Sequence, residues 1–142
     1  MKKVLLLSLT ALIFLGVSVS AAYAADRIGF IDSQRILAAH PKSAESERYL
    51  DDFHRRNADE AEEAARGETD PARRMAIVQE ARSESEQEEW RIMSPLLADI
   101  NRVIEMVAQA RGVTVVVERA YVFFGGVDLT EDIIREVSGL RF

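Results

Sequence analysis

The sequence predicts an α+β chain in which both chain ends build a small body and a long α-helical hairpin arm stands out between them. Three observations lead there. The apolar stretches lie at residues 27–37 and 96–142. Between them, the 47 residues of 43–89 contain only Tyr49, Leu50, Phe53, Met75, Ile77 and Val78 as large apolar side chains. A fully buried helix pair needs about one every 3 to 4 residues. The same stretch carries fifteen carboxylates against seven arginines, a net charge of −8. Such a segment is solvated, so the core forms where the two ends meet and the middle projects.

The chain opens with Lys2 and Lys3, an apolar run from Val4 to Val19, and Ala22-Tyr23-Ala24. Small residues at −3 and −1 after a short apolar run read as a secretory signal with cleavage after Ala24. Residues 1–24 are then the signal peptide and the mature chain is exported. The competing reading is a retained anchor. A run of 16 or 17 residues spans about 25 Å as a helix, slightly short of a bilayer core. With the signal removed, nine basic and nine acidic residues outside the arm cancel, so the ends are neutral and the arm is acidic. There is no cysteine, which excludes lipidation through an N-terminal cysteine and any disulfide staple. Packing or association must supply the stability.

Residues 27–31, Arg-Ile-Gly-Phe-Ile, have the composition of a strand that ends at Asp32. Ser33 caps a short helix over 34–39, and His40-Pro41 stops it. These residues make 25–40 the first part of the body. The arm follows over 41–94, beginning with a helix from Pro41 or Lys42 to Arg66. Gly67 takes the left-handed conformation, Thr69 or Asp70 caps the return, and Pro71 occupies its first turn. The returning helix runs over 72–111 and serves two environments. Its apolar positions are sparse distally (Met75, Val78, Ala81). They are dense near its end, where Met93, Leu96, Leu97, Ile100, Val103, Ile104 and Val107 recur at helical spacing. Pro95 removes one backbone hydrogen bond and bends the axis without ending the helix.

Residues 95–142 complete the body. Two apolar runs, 113–117 and 121–124, are separated by Glu118-Arg119-Ala120, a length that predicts a β-hairpin. Gly125-Gly126 breaks the second strand. Thr130 caps a last helix whose start is matched to the helix dipole by Glu131 and Asp132. Both predicted strands are apolar on both faces, more than one small subunit covers, and association between subunits is the expected remedy.

The opening A-D-R-I-G-F-I-D-S-Q-R-I-L, the following H-P-K-S-A-E-S-E-R-Y-L-D-D-F and the segment from Pro95 through G-V-T-V-V-V-E-R-A-Y-V-F-F-G-G-V-D-L-T-E-D-I-I-R-E-V resemble the Skp (OmpH-like) periplasmic chaperone family. The resemblance covers nearly the whole mature chain, and its closing segment is the specific part. It implies a homotrimer in which strands form a small intersubunit β-barrel body and three helical arms enclose a cavity. It also implies ATP-independent holding of unfolded outer-membrane proteins, with no catalytic residue. On this reading Ile28, Phe30, Val115, Val117, Val122 and Phe124 are the candidate trimer-body residues. Two features depart from the family pattern. The arm is short, with about 25 residues up and 40 back giving roughly 37 and 60 Å. It is also acidic where the best-known members are basic, so membrane-surface contact through basic arms does not transfer.

A holdase works through weak, numerous, reversible contacts, and sparse apolar side chains on a charged arm provide them. Leu50, Phe53, Met75, Val78, Trp90 and Met93 are the candidate client-binding residues, methionine and aromatics being adaptable. The competing role for the same six is to pack the hairpin together. The acidic run Glu84, Glu86, Glu88 and Glu89 reads as a solvated face, because alternate spacing spreads the carboxylates around the helix. His40 and His54 lack the spacing of a zinc motif or a nearby nucleophile, and His40 before Pro41 reads as part of a turn. Gly125-Gly126 lacks a phosphate-loop pattern, and an acidic arm repels nucleic acid. No metal, cofactor or enzymatic constellation is expected. A structural or adaptor protein, with the arm as a fixed coiled-coil contact, is the alternative. That role needs a continuous apolar stripe, and this one is interrupted at Arg82, Ser85 and Glu89.

Overall fold

The computed structural model describes residues 27–141. The expected signal peptide and its cleavage site lie outside them. In chain order the elements are β1 (Ile28–Ile31), α1 (Ser33–Ala38), α2 (Ser43–Gly67), α3 (Pro71–Ala110), β2 (Val115–Glu118), a 3-10 turn (Arg119–Tyr121), β3 (Val127–Asp128) and α4 (Thr130–Ser138). The fold is therefore α+β, with one small sheet and a long helical pair.

The sheet has the order β2-β1-β3, and both pairings are parallel. Ile28 pairs with Val115, Gly29 with Val116 and Phe30 with Val117, while Gly29 and Phe30 also pair with Val127 and Asp128. This corrects the expected hairpin. A tight antiparallel return needs residues with positive φ, and Glu118-Arg119-Ala120 contains none. The chain instead passes through the 3-10 turn and carries residues 121–124 away unpaired. It turns a second time at Gly125 and Gly126, whose φ values of 78° and 92° are left-handed. Val127 then enters beside β1 in the parallel sense.

Alternation along the strands sorts their side chains. Gly29 and Ile31 face the helices, with Val116 and Val127 packed on the same side. There Ile36 from α1, Ile100, Val103 and Val107 from α3, and Leu129, Ile133 and Val137 around α4 close a single core. Gly29 is needed for close approach, because a Cβ there would stand 2.8 Å from Leu129 Cδ1 and 3.0 Å from Val113 Cγ1. The core joins residues almost a hundred positions apart, as the split apolar pattern requires.

Caps seat these elements, and two differ from expectation. Asp32, not Ser33, caps α1 by accepting from the Arg35 N–H at 3.1 Å. Thr130 is buried in the first turn of α4, where its Oγ1 accepts from the Asp32 N–H at 3.1 Å. The Thr130 N–H in turn donates to Asp128 Oδ1 at 3.0 Å. Thr130 thus ties the start of α4 to the end of β1, which a solvent-exposed cap would not do.

The arm is α2 and α3, joined by residues 68–70. Gly67 is the last residue of α2 and is not left-handed, because the chain leaves the helix through an extended Glu68. Asp70 caps α3 by accepting from the Ala72 N–H at 2.8 Å, with Pro71 in the first turn. α3 runs unbroken through Pro95 for 40 residues, about 60 Å, against 25 residues or about 37 Å for α2.

Candidate functional site

Two surfaces place apolar side chains in solvent: the arm and the face of the sheet turned away from the helices.

On the arm, helical spacing puts Tyr49, Phe53 and Asn57 on one face of α2, turned toward α3. The Tyr49 and Phe53 rings stack with centroids 6.4 Å apart, and Phe53 meets His54 edge-on at 6.2 Å. Tyr49 Oη donates to Glu88 Oε1 at 2.6 Å, and Arg91 Nε donates to Glu88 Oε2 at 2.7 Å. These hydrogen bonds, Arg91's first and Tyr49's second, lower the Glu88 pKa to about 2. Further out, Asn57 Nδ2 donates to the Ala81 carbonyl at 2.6 Å and to Ser85 Oγ at 2.9 Å. Around and beyond this clamp the seam is bordered by Ala58, Ala61, Ala65, Val78 and Ala81. The interruption at Ser85 is therefore one of the places where the two helices are hydrogen-bonded.

The six candidate client-binding residues divide. Leu50 is buried at 8% exposure, and Phe53 and Met93 are half-buried. Val78, Met75 and Trp90 are exposed, at 36%, 63% and 70%. Leu50 therefore closes the root of the seam, while Met75 and Trp90 present most of their surface to solvent.

On the body, Ile28, Phe30, Val115 and Val117 share the outer face of the sheet. Ile28 and Val115 are half exposed and Phe30 and Val117 half-buried. Val122 is half-buried beside them, and Phe124 is fully exposed. Tyr121 and Phe123 are exposed too and were missed as candidates, since a hairpin strand would have placed alternate residues inward. Ile28, Val117 and the stretch from Tyr121 to Gly126 border a concavity of about 480 Å³. The Arg119 guanidinium lies over the Phe30 ring at 5.0 Å from its centroid and pairs with Asp128. All-parallel sheets ordinarily have both faces covered. Here helices cover one.

Where body meets arm, His40 is buried at 2% exposure. Its Nδ1 accepts from the Lys42 N–H at 3.2 Å, the turn expected from His40-Pro41, and its Nε2 stands 3.9 Å from Asp99 Oδ2. Burial lowers the His40 pKa and Lys42 adds to this, while Asp99 opposes it. Among the described residues no group of three or more His, Cys, Asp or Glu is arranged to hold a metal ion. No described helix is long and apolar enough to cross a membrane.

Comparison of the chain with protein-family models, with curated proteins and with solved structures gave no match.

Proposed function

We propose that this protein is an exported, ATP-independent holdase that keeps unfolded outer-membrane proteins soluble in the periplasm. The observation that carries the reading is the pairing of a firmly packed body, bare on one apolar sheet face, with a long arm that exposes Met75, Val78 and Trp90. The resemblance to the Skp (OmpH-like) family supports it, and no catalytic residue is required.

The bare face supplies the reason to assemble. Ile28, Phe30, Val115, Val117, Val122 and Phe124 would be covered in a homotrimer whose sheets join as an intersubunit β-barrel, with Tyr121 and Phe123 adding to the contact. Burial returns about 25 cal/mol for each Å² of apolar surface removed from water, so aromatic residues this exposed favour association. Three arms around one axis then bound a space in which an unfolded chain meets many weak apolar contacts. Aggregation is suppressed because the client's apolar segments are withheld from one another.

Light scattering on the purified protein, alone and after dilution of a urea-unfolded outer-membrane β-barrel protein into it, tests both parts. A trimer that gains one client and keeps it soluble is expected. A protein that stays unassociated, or a trimer beside which the client aggregates, overturns the reading and leaves the arm as a fixed contact for one partner.

A further inference from the structure

At the root of the arm, α1, α2 and α3 leave a groove of about 410 Å³. Leu37, Leu50 and Met93 line it with apolar surface, and Glu47, Asp51 and Glu89 are its charged lining residues. No lysine or arginine lines it. Among the described residues none of these three carboxylates joins an ion pair, whereas Glu88 beside them is held by Arg91 and Tyr49. An apolar trough with uncompensated acidic edges selects on two counts. Its volume takes one or two large side chains, and its field favours neighbouring positive charge.

We propose that this groove docks segments of unfolded protein in which one or two apolar side chains are flanked by lysine or arginine. The inference rests on the holdase reading and adds which part of a client is taken. An apolar side chain enters between Leu50 and Met93, whose thioether adapts to its shape, while the flanking cations meet Glu47, Asp51 and Glu89. These charge contacts are exposed, so each adds little and all weaken with salt. That weakness suits a contact that must release.

The test uses three labelled peptides and fluorescence anisotropy on the full chain. One has a leucine-phenylalanine centre flanked by lysines, the second has the same centre flanked by glutamates, and the third keeps the lysines around a serine centre. Trp90, the single tryptophan and the neighbour of Glu89, gives a second, intrinsic readout. The first peptide is expected to bind at least about tenfold more tightly than either other. The double variant Glu47→Gln with Glu89→Gln is expected to weaken it about three- to tenfold, two exposed charge contacts being removed. Glu80→Gln with Glu84→Gln, which removes the same charge from elsewhere on the arm, is expected to leave affinity unchanged.

Equal effects of the two double variants would overturn the proposal in favour of bulk arm charge. So would equal binding of the serine-centred peptide, which would mean that the apolar trough is unused. A parallel assay follows solubility of the unfolded β-barrel protein. If that client stays soluble while the peptide preference is absent, the groove falls and the holdase reading stands. If the peptide preference appears while the client aggregates, the groove stands as a peptide site and the holdase reading falls.

Discussion

The body and the arm are built from similar helices yet held together by different means. In the body, Ile36, Leu129, Ile133 and Val137 are wholly buried and come from segments far apart in the chain. Over residues 41–94 of the arm only Leu50 is buried, and the seam beyond it rests on small side chains, one asparagine clamp and the Tyr49–Glu88 contact. A region with few buried apolar contacts opens locally at low cost. The comparison teaches that stability and adaptability are separated along the chain: the ends hold the fold, and the middle is free to yield.

The sharpest way to break that comparison is to cut both regions equally. Ile133→Ala leaves a cavity in the body core and is expected to cost about 2 to 5 kcal/mol of global stability, read from urea unfolding. Leu50→Ala removes as much side chain from the arm. It is expected to raise hydrogen exchange in α2 and α3 while shifting the unfolding midpoint much less. Equal midpoint shifts would show the arm and body to be one cooperative unit.

A smaller effect should come from the clamp. Asn57→Ala deletes both hydrogen bonds to α3 and is expected to cost about 1 kcal/mol. The loss should appear as faster exchange of amides in the arm, with the body unchanged. If protection of the body core falls as well, the seam transmits more than its contacts suggest.

The smallest expected effect lies at the junction and concerns pH. His40 is held neutral by burial and its folded pKa is lowered, so the native state binds fewer protons than the unfolded chain below the ordinary histidine value of about 6.5. The stabilisation is present above that pH. It is lost as pH falls through the window beneath it toward the folded pKa, and Asp99 limits the loss. Unfolding midpoints measured from pH about 7 to about 5.5 should decline in the parent protein and decline less in His40→Asn, whose amide oxygen can replace Nδ1 as acceptor for Lys42. Parallel declines would assign the pH dependence to other groups.

Much of this architecture was legible in the residues, for reasons that differ by region. The arm's two helices, their turn, a cap at Thr69 or Asp70 and Pro71 in the first turn rest on contacts between near neighbours, which periodicity and capping chemistry report directly, and the structure assigns the cap to Asp70. The dense apolar face of α3 from Leu96 to Val107 likewise announced the buried root. Of the candidate client-binding residues, Trp90 and Met75 are exposed, and sequence left open whether they would pack the hairpin. Leu50 is buried because the helix register turns it into the seam, and sequence left its two possible roles open. The clamp was less legible. Tyr49, Phe53 and Asn57 share a helical face, but what they meet depends on how α3 is aligned against α2.

The sequence by itself determined an α+β chain with a split apolar core, an acidic helical arm and its hairpin turn, because each follows from composition, spacing or a local cap. The tertiary structure alone decided that the sheet is parallel, that a second turn at Gly125-Gly126 follows the 3-10 turn before the chain re-enters the sheet, and that Thr130 bonds to Asp32. Strand partners are chosen across the fold. Positions 28 and 115 lie far apart in the chain, and only the closing of the core around Gly29 and Leu129 determines which edge of β1 is free when Val127 arrives.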